Sequence, residues 1–180
     1  MKFLAKYGAL VVALTLAVAV NQSRAADRVP LGDFALTALD GRTVQSSQLA
    51  TADKWLLIYV KPNCRPCEEL LRHFQIENPP ADYARKVIVI VGGASPEELS
   101  RMAERTPWLP AESWYADGRN EAAQSLRAKG MPIVMGVLKR NVEWSLVGVL
   151  RDVEAFKSIR DSWFTEQPGA AKRASYAPRR

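Results

Sequence analysis

Two residues can carry covalent chemistry here, Cys64 and Cys67, the only cysteines of a 180-residue chain. They stand three apart in the stretch VKPNCRPCEEL, Val60–Leu70, between an apolar run and a segment of helical pattern. Residues i and i+3 on the first turn of a helix face the same way, so the two sulfurs can meet. A disulfide closing so small a ring contributes only roughly 2 kcal/mol by loop entropy, a weak brace for a chain of this length. A structural zinc site takes four ligands, whereas this chain adds only one histidine, His73, to its two sulfurs. A redox pair has a physical mechanism. Backbone N–H groups and the macrodipole at a helix start favour an anion, so a Cys64 thiolate is stabilised there. Arg65 adds a positive charge beside it and Lys61 a second nearby. Pro66 suits an opening turn, where its missing N–H has no partner to lose. In this reading Cys64 attacks a disulfide and Cys67, one turn in and more shielded, resolves the mixed disulfide. Glu68, one turn from Cys64, is placed to assist proton transfer or to serve as a solvated surface residue.

The elements that must position this pair follow from apolar spacing. KWLLIYV, Lys54–Val60, reads as a strand buried on both faces, with the cysteines at its C-terminal end. Leu70, Leu71 and Phe74 repeat at helical spacing, and Asn78–Pro80 stops that helix. Upstream, Phe34, Leu36 and Ala38 alternate before Asp40-Gly41, a two-residue hairpin turn; Val44 continues the return strand and Ser47 starts a short helical turn. Lys86–Gly93 is a second buried strand, followed by the capping box of Ser95 and Glu98 with Pro96 at the first helical position, opening a helix to about Arg105. The Gly92-Gly93 pair lacks the companions of a phosphate-binding loop. Ser113–Asp117 is a strand and Asn120–Lys129 a helix ended by Gly130. Two strands flank the turn Lys139-Arg140-Asn141, and Asp152 caps a last helix through Phe164. Alternating strands and helices, closed by a hairpin and a helix, predict a three-layer α/β/α sandwich with an antiparallel edge.

The ends bear on location. Lys2 and Lys6 precede the apolar run Gly8–Val20, and Ser23 and Ala25 supply a small-residue cleavage site, the pattern of a secretory signal peptide over residues 1–25. Thirteen apolar residues fall short of the ~20 that span a bilayer, which argues against an uncleaved anchor. Three of the 25 basic residues lie in that segment and four in the tail PGAAKRASYAPRR, leaving 18 against 19 acidic residues between them. The +6 net charge therefore resides at the ends, and nucleic acid is not an expected partner. One domain is expected over residues 26–166, with a disordered basic tail over 167–180 whose contact with a membrane has little support.

Four features resemble the thioredoxin superfamily, specifically its exported TlpA/ResA-like thiol–disulfide oxidoreductases: the FALTALDG hairpin, the LLIYV…CRPC junction, the extra helix and strand after VIVIVGG, and KGMPIV before the terminal hairpin. The resemblance covers about residues 30–165 and implies a thioredoxin-like fold with an N-terminal β-hairpin and a helix-strand insertion. It implies that Pro132 is cis and packs beside a redox-active Cys64–Cys67 disulfide, and that Met131 offers its backbone to an extended substrate. The implied partners are exported protein thiols and disulfides and a membrane electron donor, in a periplasmic setting, with no cofactor and no metal. The resemblance favours a reductase serving the maturation of cytochromes or metalloproteins, while an exported setting also allows an oxidase or isomerase. The chain departs from the pattern at Asn63, where tryptophan is usual, at Ile58 in place of a buried acid, and at Leu70 in place of a glutamate. A periplasmic Cu(I) carrier using both thiolates is the alternative, although copper proteins of this superfamily add a late histidine that this chain lacks. A peroxiredoxin shares the leading hairpin but needs threonine where Lys61 stands.

Overall fold

The computed structural model describes residues 29–49, 52–75, 82–148 and 152–165. The signal segment and the basic tail expected from the sequence, and the helix stop at Asn78–Pro80, lie outside the described residues. Among the described residues, no helix is long and apolar enough to cross a membrane.

Eight strands form one mixed sheet: β1 (Val29–Pro30), β2 (Ala35–Ala38), β3 (Thr43–Gln45), β4 (Lys54–Val60), β5 (Val87–Gly92), β6 (Trp114–Asp117), β7 (Ile133–Leu138) and β8 (Asn141–Val147). Their spatial order is β1-β8-β7-β4-β5-β6-β2-β3. The central strands β4, β5 and β6 are mutually parallel, and the remaining pairings are antiparallel. Among the described residues, four α-helices complete the layers: α1 (Arg65–Phe74), α2 (Pro96–Glu104), α3 (Glu121–Ser125) and α4 (Val153–Thr165).

Strand β4 is buried on both faces because each alternate set of its side chains enters a different core. Leu56, Ile58 and Val60 join Leu70, Leu71 and Phe74 of α1, Leu99 of α2 and Phe156 of α4. Trp55, Leu57 and Tyr59 point the other way, toward Leu31, Phe34, Leu36 and Ala122. A near-continuous apolar run is what such double burial demands. The α/β/α sandwich expected from the sequence is thus present, and the inserted α2–β6 unit extends the sheet beyond β5.

Local chemistry set several boundaries differently from the sequence reading. The first hairpin has a three-residue loop, Leu39-Asp40-Gly41, rather than a two-residue turn. Gly41 N donates to the Ala38 carbonyl at 2.9 Å, and Gly41 takes the left-handed conformation, φ 84°, as three-residue hairpins require. The helix expected over Asn120–Lys129 ends at Ser125, well before Gly130. Arg127 turns left-handed at φ 51°, and the Ala128→Ala123 and Arg127→Gln124 backbone bonds close a Schellman motif without glycine. The two-residue strand β1, which carries no alternating pattern to read, adds to β8 through Val29↔Val142 and Pro30↔Asn141. The Ser95–Glu98 capping box forms with both reciprocal bonds, 3.2 and 2.9 Å, and Asp152 Oδ1 accepts from Ala155 N at 3.0 Å.

Candidate functional site

The cysteine loop leaves the C-terminal end of β4 and enters α1 within four residues. Cys64 is the N-cap, its backbone extended, and its carbonyl accepts from Cys67 N at 2.9 Å and Glu68 N at 3.1 Å. Arg65 and Pro66 occupy the first two helical positions, both exposed. Cys64 and Cys67 are joined by a disulfide with an S–S distance of 2.08 Å and a Cα–Cα distance of 5.2 Å. The two sulfurs differ in access: Cys67 is 0% exposed within the core beneath α1, while Cys64 is only half-buried at its edge.

Asn63, immediately before Cys64, has φ 55° and an exposed side chain. Asparagine is among the few L-residues that enter the left-handed region readily, because its short amide bonds locally; a bulky side chain there is strained. The backbone at this step gives a physical reason for asparagine where the family resemblance leads one to expect tryptophan.

Pro132 reaches the same end of the sheet from far along the chain. Antiparallel β7 begins with Ile133 opposite Tyr59, so Pro132 stands where β4 turns into the Lys61–Asn63 loop. The Met131–Pro132 peptide is cis, Pro132 is buried, and its carbonyl accepts from Gly148 N at 2.7 Å. Met131 is half-buried and packs against both cores. Cys64, Cys67, Arg65, Pro66, Met131 and Pro132 thus all lie at the C-terminal end of β4. His73 lies in the last turn of α1, and Lys61 is exposed on the loop. Glu68 Oε1 lies 3.9 Å from Arg105 Nη1, both side chains exposed. Among the described residues, no group of three or more His, Cys, Asp or Glu side chains gathers as a metal site.

A second polar feature at this end of the sheet, on its opposite face, escaped sequence reasoning. Asp117, ending β6, is completely buried. Its Oδ2 accepts from the Tyr59 hydroxyl at 2.8 Å and from Ala123 N at 3.0 Å, while Oδ1 has no partner. Gly92, between these strands, leaves room for that hydroxyl, which a Cβ there would strike. The only signal in the sequence was an acid closing an apolar strand, a weak one.

Burial, with the Asp117 carboxylate next in weight, raises the Tyr59 pKa from its ordinary value of 10.0. The raised folded value means that the native state holds this proton longer than the unfolded chain, so stability is retained below pH 10 and falls as pH rises beyond it. Tyr83 and Tyr115 shift the same way through burial. Tyr59→Phe is therefore expected to make the alkaline fall in stability shallower above pH 10, while lowering stability near neutrality by leaving Asp117 with one fewer donor. Urea titrations at pH 8 and above pH 10 check both signs; an unchanged alkaline slope contradicts the assignment.

No protein-family model matches this sequence, and a search of curated proteins finds none similar to it. Solved structures do resemble it. A secreted Mycobacterium tuberculosis disulfide oxidoreductase, homologous to E. coli DsbE, superposes with a TM-score of 0.57 at 10% identity, covering 72% of this chain and 95% of its own. A thiol-disulfide oxidoreductase from Bacteroides fragilis gives 0.53 at 13%, covering 72% and 97%. The pneumococcal exposed lipoprotein thioredoxin Etrx1 from Streptococcus pneumoniae gives 0.52 at 16%, covering 73% and 99%. At these identities the likeness establishes the fold alone: the protein has a thioredoxin-like fold, with a Cys-x-x-Cys pair at the first turn of the helix that follows its central strand.

Proposed function

We propose that the protein is an exported thiol–disulfide oxidoreductase of the TlpA/ResA-like kind, in which Cys64 and Cys67 exchange a dithiol for a disulfide with protein substrates. The observation that carries this reading is the Cys64–Cys67 disulfide at the start of α1, one sulfur accessible and the other buried. In the reducing direction the Cys64 thiolate attacks one sulfur of a substrate disulfide, forming a Cys64–substrate bond and expelling one substrate thiolate. The Cys67 thiolate then attacks the Cys64 sulfur, forming the intramolecular disulfide and expelling the second substrate thiolate. Two electrons pass to the substrate, each expelled thiolate takes up a proton, and the protein is left in its disulfide form. A membrane thiol donor must return two electrons for the next cycle. This cycle suits cytochrome or metalloprotein maturation.

Arg65 and the N–H groups of α1 stabilise the Cys64 thiolate. Pro66 opens the helix at no hydrogen-bonding cost, Pro132 covers the sulfurs, and Met131 presents its backbone to an extended substrate. Export rests on the signal pattern of residues 1–25. Cu(I) carriage is less favoured, because the chain has no histidine after His73 to match the late one of the superfamily's copper proteins.

The test is thiolate titration of the reduced protein, followed by absorbance near 240 nm or by alkylation rate. Cys64 is expected to ionise below the ~8.5 of a free cysteine, and the reduced protein to turn over a protein disulfide. A Cys64 pKa at or above that value, with no turnover, defeats the reading.

A further inference from the structure

Beside the cysteines runs a groove between α1 and α2 that the exchange chemistry leaves unused. Its mouth, about 90 Å³, opens at Lys61, Pro62 and Asn63 and is bounded across the groove by Arg101. Glu68, Met102 and Arg105 border both this mouth and a larger hollow of about 210 Å³, lined by Leu71 and Trp108 and edged by Arg72. The two hollows share these three residues and lie side by side, the smaller one against the residue that precedes Cys64.

The charge along this groove is unbalanced. Lys61, Arg72, Arg101 and Arg105 line it against two carboxylates, Glu68 and Glu98, and a third, Glu97, lies within electrostatic reach of Arg101. Glu68 lies 3.9 Å from Arg105, and Glu98 Oε2 is turned to its helix start, where it accepts from Ser95 N at 2.9 Å. Lys61 and Arg72 have no ion pair among the described residues. The apolar floor of Leu71, Met102 and Trp108 is therefore rimmed by an excess of cations over anions. A concave surface of this kind attracts an amphipathic segment carrying negative charge and concentrates it beside the reactive sulfur.

We propose that this groove seats an acidic segment of the substrate protein, adjacent to the cysteine that Cys64 attacks. One apolar side chain of the segment rests on Leu71, Met102 and Trp108, and its carboxylates face Arg72, Arg101 and Lys61. This assignment rests on the exchange reading above and names the class of protein the site serves.

Three disulfide-bonded peptides test it, identical except for Glu-Glu, Gln-Gln or Lys-Lys beside one cysteine and sharing a leucine. Each is mixed with the reduced protein, and each rate is divided by its rate with dithiothreitol to remove intrinsic reactivity. The expected order is Glu, Gln, Lys, with about a five-fold advantage of Glu over Gln at low salt, the size of a few exposed ion pairs acting together. The advantage is expected to shrink at 1 M salt. Arg72→Gln with Arg101→Gln brings the Glu/Gln ratio close to one, whereas Glu68→Gln, which frees Arg105, raises it. Rates independent of peptide charge, or an acidic preference that survives the double variant, overturn the groove assignment while leaving exchange intact. Failure of all three peptides to oxidise the protein overturns the exchange reading itself, and the groove assignment with it.

Discussion

Cys64→Ser is expected to lower disulfide exchange by on the order of a thousand-fold or more, because it removes the nucleophile of the proposed mechanism. Cys67→Ser is expected to retain the first attack and lose the second. The asymmetry follows from the site: Cys64 is half-buried at the helix start, where a substrate sulfur can approach, and Cys67 is fully buried. In Cys67→Ser the mixed disulfide forms and has no internal thiol to resolve it, so it accumulates as a covalent adduct. The measurement is paired. Each variant is expressed and acid-quenched to stop thiol exchange, then run without reductant, and adducts are identified by mass after reduction. Adducts with Cys67→Ser and none with Cys64→Ser support the assignment and also deliver the substrates. The opposite pattern reverses the roles of the two sulfurs, and the same pattern from both variants removes the exchange mechanism.

Most of the architecture was legible in the sequence because it is driven by burial. KWLLIYV forms β4 over the residues expected, Lys54–Val60, since a run apolar on both faces has few other places to go. The capping box at Ser95 was legible because its two bonds are made within four residues. What was not legible depended on backbone conformations that side-chain pattern does not encode. Arg127 ends α3 in a left-handed conformation that glycine or asparagine usually takes, so Gly130 drew the boundary too late. Lys139 and Arg140, both at positive φ, likewise make the tight turn from β7 to β8 without glycine.

The site divides in the same way. The cysteines were legible because they are rare and three apart. Cys64 at the helix start followed from the apolar strand before it and the helical spacing after it, and the structure makes it the N-cap. The arrival of Pro132 at that end needed the family resemblance, since no local pattern joins residues some 65 apart; the β4–β7 register shows how the sheet does it. Asn63 stood out only against the family resemblance, and its left-handed φ supplies the cause. The Tyr59–Asp117 pair and the groove could not be seen beforehand, because each is assembled from strands or helices that meet only in the folded chain.

Phe74→Ala is expected to destabilise the protein by about 3–5 kcal/mol, more than reduction of the disulfide itself. Phe74 closes α1, is 0% exposed, and meets Phe156 of α4 edge-on with ring centroids 4.7 Å apart. Its carbonyl also accepts from the Tyr83 hydroxyl at 3.3 Å, a main-chain bond that the substitution leaves in place. The cost therefore comes from lost transfer free energy, the cavity left between two helices and the loss of an aromatic pair. A four-residue disulfide ring contributes only roughly 2 kcal/mol by chain entropy, so α1 is held chiefly by Leu70, Leu71 and Phe74 rather than by the bond at its start. That division of labour suits a redox site, because the disulfide can open and close in each cycle without releasing the helix that carries it. Phe74→Leu, which fills most of the volume, is expected to cost about 1 kcal/mol. Urea unfolding of both variants, oxidised and reduced, measures each contribution from midpoints at constant m. A cost for Phe74→Ala below about 1 kcal/mol, or a larger loss from reduction than from the substitution, would show that the disulfide and not the packing fixes α1.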